Sequence, residues 1–225
     1  MSNRLKIILA VRTFGYMLFL TGLFGLVAFF APLLSAEFHY RFDQISGIKR
    51  VIQVAPIFKP SHSSQIGFEN IQQTANSITP VSTDFGIVIE KINANSKVIA
   101  NVNPANEAEY TAALKMGVAH AKGSSLPGQV GNVYLFSHST DAPWNIIRYN
   151  AIFYLLRELE PGDKVILFYQ GRRFDYVVFD KNIVSASDTT YLTNKYDKPI
   201  LTLQTCDPPG TLFNRLIVRA RLEVS

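Results

Sequence analysis

The chain opens with one long apolar run and then changes period. Thr13 to Leu34, TFGYMLFLTGLFGLVAFFAPLL, is 22 consecutive uncharged residues, apolar on every helical face. At a rise of about 1.5 Å per residue such a helix spans roughly 33 Å, enough for a bilayer core of about 30 Å. From Val81 onward, short alternating or wholly apolar runs are separated by turn residues. They are DFGIVIEKI, KVIANV, NVYLFSHS, KVILFYQG, RRFDYVVFDKNIV, PILTLQTC and RLIVRARLEV, with a further short strand over Gly117–Ala121. That makes eight strands in residues 81–225, which can build one substantial core but not two. The spacing predicts an antiparallel sandwich or a closed barrel.

Two helical stretches interrupt the strands. Asn106–Lys115 opens with a capping residue and has acids in its first turn. Asn145–Leu159 carries Ile146, Ile147, Tyr149, Phe153, Leu155, Leu156 and Leu159 near helical spacing and stops at Pro161-Gly162. Gln170-Gly171-Arg172 links two β runs as a hairpin turn. Residues 35–80 hold Pro56, Pro60, Pro80 and the polar SHSSQ, and they read as a stalk.

Charge gives the apolar run an orientation. Arg4, Lys6 and Arg12 precede it with no acid, whereas Glu37, Arg41 and Asp43 after it nearly cancel. The positive-inside bias puts residues 1–12 in the cytoplasm as a tail and 13–34 in the membrane as a signal anchor. Residues 35–80 are then an extracytoplasmic stalk and 81–225 an extracytoplasmic globular domain. A cleaved signal peptide is the rival reading. Its apolar region would be about 7–15 residues and end at a small-residue site, and PLLSAE is a poor one. The net charge is +5, and three of the positive charges lie in the tail. The mildly basic remainder has no Lys/Arg run that predicts a nucleic-acid partner.

Cys206 is the only cysteine. It ends the run PILTLQT, whose alternation sets Ile200, Thr202 and Gln204 on one face and Leu201, Leu203 and Thr205 on the other. Asp207-Pro208-Pro209-Gly210 turns the chain, and Arg215, nine residues after the cysteine, opens the next alternating run. A thiol and a guanidinium facing across a strand gap suit attack on a carbonyl and capture of the oxyanion that forms. The plainer reading is a small buried hydrophobe. Against it stand the position at a strand mouth and the exported setting, where a lone thiol is open to oxidation.

A cysteine nucleophile needs an acid–base partner. His39 lies at the membrane exit and His62 in the stalk, which leaves His120 and His138. His138 follows the apolar strand Asn132–Phe136 and opens onto a loop. It is either a site residue or a histidine hydrogen-bonded at a barrel rim. One cysteine, four scattered histidines and dispersed acids show no ligand spacing, so neither a metal nor another cofactor is expected.

These residues resemble the sortases, membrane-anchored cysteine transpeptidases of bacterial surfaces. The resemblance is carried by TLQTC at 202–206, by Arg215 opening RLIVRA and by GNVYLFSHS at 131–139. GVAHAKGSSLPGQVGN at 117–132 and LRELEPGDKVILFYQGRRFDYVV at 156–178 extend it. Ser137 and Ser139 flank His138 where the family often has a glycine before and an arginine after. The resemblance implies a mainly β fold, a closed eight-stranded barrel with short helices, preceded by one transmembrane helix.

It further implies that Cys206 attacks a sorting motif of the Leu-Pro-X-Thr-Gly kind in a secreted protein, forming a thioacyl-enzyme. An amine of the cell envelope or of another protein then takes the acyl group. His138 serves as general acid and base, Arg215 binds the carbonyl or oxyanion, and Thr205 and His120 contact substrate. Trp144 and Arg148 either wall the cleft or belong to the core. No acid or amide is placed to orient His138, since Asp141 is near only in sequence, so a slow enzyme is expected. Two further readings stand beside this one: a cysteine peptidase that releases surface proteins by hydrolysis, and a non-catalytic anchored β-domain. The last requires no convergence of Cys206, His138 and Arg215.

Overall fold

The computed structural model describes residues 3–47, 51–52, 77–139 and 152–223. Helix α1 (Asn3–Ile45) contains the expected apolar run and continues beyond it. The stretch long and apolar enough to cross a membrane is Lys6–Ala28, none of it buried in protein. Past that stretch the helix persists through side-chain pairs one turn apart. Arg41 Nε donates to Glu37 Oε1 at 3.0 Å, and the Phe38 and Phe42 rings stack at 6.1 Å. Tyr40 packs against the core cluster of the barrel.

The packed structure begins before Val81. Strands β1 (Val51–Ile52) and β2 (Ser77–Ile78) pair in parallel, and Ile52 and Ile78 are buried with Val88, Ile166 and Phe168. Residues 53–76 of the expected stalk, with His62, lie outside the described residues.

Eight strands form the barrel: β3 (Phe85–Ile89), β4 (Ala94–Val102), β5 (Val118–Ala121), β6 (Gly131–Phe136), β7 (Lys164–Tyr169), β8 (Arg172–Ser185), β9 (Pro199–Asp207) and β10 (Asn214–Leu222). They close in the order β10-β8-β7-β3-β4-β5-β6-β9. Each expected β run is one of these strands, and a barrel rather than a sandwich forms. It is not wholly antiparallel, because β4–β5 and β6–β9 pair in parallel. Parallel neighbours need crossover connections, and helix α2 (Glu107–Met116) provides the first of them. Its N-cap is the expected one: the Asn106 side chain accepts from the Glu109 N–H at 3.2 Å.

The expected helix over Asn145–Leu159 is not seen where it can be followed. Its first part, with Asp141, Trp144 and Arg148 beside or within it, lies outside the described residues. Residues 152–159 form turns and one 3-10 turn, Leu156–Glu158. Phe153, Tyr154, Leu155, Leu156 and Leu159 are all buried in the barrel core. A helix with one solvent face would expose some of them, so the segment folds irregularly as an apolar plug. The hairpin is as expected: Gln170 (φ 49°) and Gly171 (φ 73°) turn between the paired Tyr169 and Arg172.

Alternation sorts each strand into two faces. Val133, Leu135, Leu201, Leu203, Leu216 and Val218 fill the barrel. The intervening positions face outward. There α2 and the short helix α3 (Thr190–Thr193) bring Leu114, Tyr110, Tyr191 and Leu192 over Tyr134 and Phe136. The space left between the two helices is the groove described next.

Candidate active site

The ladder register alone brings the sequence-predicted side chains together. Cys206 on β9 lies directly opposite Arg215 on β10. Opposed residues of an antiparallel pair share a face, with Cβ atoms about 4.5–5.5 Å apart. On the other side of β9, β6 runs parallel with Phe136 opposite Gln204. The Ser137 N–H continues that register by donating to Gln204 O at 3.1 Å. Two residues past Phe136 stands His138, on the row of Cys206, two residues past Gln204. Since Leu203 and Leu216 point inward, this row faces out.

His138, Cys206 and Arg215 accordingly line one cavity of about 440 Å³. Tyr134, Phe136 and Gln204 also line it; Glu107, Tyr110 and Leu114 of α2 form one wall, and Asp188, Thr189 and Leu192 the other. The second wall has no strand partner, so side chains tie it down. Asn132 Nδ2 donates to Tyr191 O at 2.9 Å, and Arg219 lies over the Tyr191 ring at 5.3 Å and the Phe179 ring at 5.1 Å. Arg219 also forms an ion pair with Asp180.

Thr205 lines the cavity, but its hydroxyl is already used. It is buried and donates to Ser137 O at 3.0 Å. Together with the Ser137 N–H bond, this clasps the end of β6 to β9 immediately before His138. Thr205→Val keeps the shape and leaves that buried carbonyl without its donor. The expected loss is about 1–3 kcal/mol of stability by denaturant unfolding, and Thr205→Ser should restore most of it. A valine variant as stable as the parent would show that the clasp holds nothing.

Arg215 Nη1 donates to Asn214 O at 3.0 Å and to Leu212 O at 3.4 Å. Two carbonyls of its own loop thus steady the guanidinium, while the rest of its donors remain for a ligand. Burial pushes the Cys206 thiol up, and the positive charge of Arg215 draws it back by a smaller amount. The resting thiol is therefore protonated near neutral pH. The Tyr134 hydroxyl donates to Gln204 Oε1. Burial holds this phenol well above its ordinary range, so it remains a donor.

His120 is apart from this group. It is buried on β5 and is not among the residues lining the cavity. Its Nδ1 accepts from the Asn101 N–H at 3.3 Å. Its Nε2 meets Ser125 O at 3.0 Å and Ser124 Oγ at 2.9 Å. A carbonyl only accepts, so Nε2 carries the hydrogen. Burial lowers the pKa of the ring, in keeping with a neutral imidazole that joins the end of β4 to the loop after β5. Among the described residues no three His, Cys, Asp or Glu side chains group to hold a metal.

The α2 wall, the pinned 186–192 wall and the Tyr134–Gln204 pair were not among the expected site residues. Only Gln204 had a local signal, since alternation within TLQTC sets it on the face of Cys206.

Comparison with known proteins agrees with this fold. Sortase D of Bacillus subtilis (strain 168) is 29% identical over 120 residues, which cover 53% of this chain and 52% of that protein. The match thus spans about half the length of the curated relative. Sortase A from Corynebacterium diphtheriae superposes with a TM-score of 0.54 at 28% identity, over 63% of this chain and 61% of that one. A Clostridium perfringens sortase D5 transpeptidase shares the fold, with a TM-score of 0.51 at 24% identity over 63% of this chain and 79% of that one. The family model described as the Sortase domain matches residues 87–223, from within β3 to the end of the described barrel. With most of its length inside that match, the chain belongs to the sortase family.

Proposed function

We propose that this protein is a cysteine transpeptidase that cleaves a sorting motif of the Leu-Pro-X-Thr-Gly kind in secreted proteins and passes the acyl group to an amine. The observation that carries the reading is the row of Cys206 and Arg215 on paired strands with His138 just past the end of β6, open to one cavity. The Cys206 thiolate attacks the scissile carbonyl carbon, and the carbonyl electron pair moves to oxygen. Arg215 donates to that oxygen. As the tetrahedral centre collapses, the C–N bond breaks and protonated His138 gives its proton to the leaving nitrogen. Neutral His138 then takes a proton from the incoming amine, which attacks the thioester and expels the Cys206 thiolate. Because burial favours the thiol form, only a minor fraction of the enzyme is ready to attack, which supports the expectation of slow turnover.

The apolar stretch of α1 would hold the enzyme in the membrane, and Arg4, Lys6 and Arg12 would keep its N-terminus in the cytoplasm. The barrel then faces outward, and protease added to intact cells should degrade it; protection would reverse the topology.

The chemical test uses the full chain in detergent with sorting-motif peptides and a set of primary amines, followed by mass spectrometry. A Cys206 adduct with the mass of the acyl fragment, released by an amine, is expected. Release as the free acid whichever amine is present would make the protein a peptidase. No adduct with any peptide would overturn the assignment.

A further inference from the structure

Gln204 is the only side-chain amide among the described residues lining the cavity. Its carbonyl oxygen is occupied by the Tyr134 hydroxyl. That bond fixes which way the amide faces, and its Nε2 makes no hydrogen bond among the described residues. Two donors are thus left over on the face that carries Cys206. Phe136, Leu114 and Leu192 line the same cavity together with the carboxylates of Glu107 and Asp188. In such surroundings a neutral acceptor is the one cheaply desolvated, whereas Arg215 stands ready for charge one row further on.

Spacing identifies the acceptor. Gln204 and Cys206 are two residues apart on one strand, a separation of about 6.6–6.8 Å. An extended peptide repeats its carbonyls on one side at nearly the same interval. With its scissile carbonyl at Cys206, such a peptide places the carbonyl two residues away over Gln204.

We propose that Gln204 binds the substrate main chain, its Nε2–H donating to the peptide carbonyl two residues from the scissile one, and that Tyr134 is the positioning residue that holds the amide in this sense. The proposal rests on the transpeptidase reading of the same cavity. It adds a contact indifferent to side-chain identity, which sets the peptide in register over the thiol.

Full-length enzyme in detergent tests it with a series of sorting-motif peptides, each carrying one amide-to-ester replacement. An ester carbonyl is the weaker acceptor. In the parent enzyme the ester two residues from the scissile bond should lower kcat/KM for acylation by about three- to tenfold, the scale of one neutral hydrogen bond. Gln204→Met should lower kcat/KM on the all-amide peptide by a similar factor through KM, with kcat little changed. The ester penalty at that one position should then vanish, while penalties elsewhere persist. Gln204→Glu, which offers only acceptors, should be worse than Met. Tyr134→Phe should shrink the ester penalty without altering the penalties at other positions, a change that general loosening of the groove does not produce. An undiminished ester penalty in Gln204→Met overturns the proposal and leaves the transpeptidase reading intact. Failure of the parent enzyme to acylate any peptide removes both.

Discussion

Cys206→Ala should abolish acylation and leave the barrel folded. Without the sulfur there is no thioester, and groups that only bind and polarise the substrate cannot replace it. Loss of a nucleophile that acts with its base commonly costs on the order of 10⁴–10⁶ in rate, so no thioester should form and turnover should fall by at least that factor. Stability should change by no more than about 1 kcal/mol. The side chain is half-buried at a strand end, and alanine removes a single heavy atom without stranding a hydrogen-bonded partner. Mass spectrometry of the peptide mixture and thermal unfolding together make the check. A folded alanine variant that still turns over would place the nucleophile elsewhere.

Arg215→Lys should lose about 10²–10³ in rate with the fold retained, the usual scale for one oxyanion donor. Lysine keeps the charge but not the planar fork. Near-parental turnover would mean that charge alone suffices. The thiol itself separates the two contributions. Burial raises the Cys206 pKa and Arg215 partly opposes it, so the rate of iodoacetamide alkylation should rise with pH through a midpoint above that of an exposed thiol. Arg215→Ala removes the opposing cation and should move this midpoint further up, whereas Arg215→Lys should leave it nearly in place. A midpoint that stays put in the alanine variant would disconnect the guanidinium from the sulfur.

Much of this architecture was legible locally. Alternation in PILTLQTC and RLIVRARL already separates core-facing leucines from the outward Gln204, Cys206 and Arg215, and a short turn makes those two strands a hairpin. Asn106 and the acids after it mark α2. What periodicity cannot supply is the partner of a strand. The parallel pairing of β6 with β9 brings His138 beside Cys206, and nothing in GNVYLFSHS states which strand lies next to it; the family resemblance supplied that. The stretch ending at Leu159 has helical spacing, but its described part forms turns that bury Phe153, Tyr154, Leu155, Leu156 and Leu159 together, so tertiary packing overrides the pattern there. Thr205 and His120 show the same limit at single side chains. A threonine beside a nucleophile and a histidine on a neighbouring strand look alike as substrate contacts or as internal ties, until their hydrogen-bond partners are known.

The early start of β1 sets a leash. Between the end of α1 at Ile45 and the packed pair at Val51 lie only residues 46–50, and the six steps from Ile45 to Val51 reach at most about 20–22 Å. With Lys6–Ala28 in a bilayer, the rest of α1, about 25 Å long at 1.5 Å per residue, and this short link together limit how far from the lipid the groove can stand. A substrate held in the same membrane meets it by diffusion in two dimensions, at an effective concentration that a freely dissolved peptide of the same sequence does not reach.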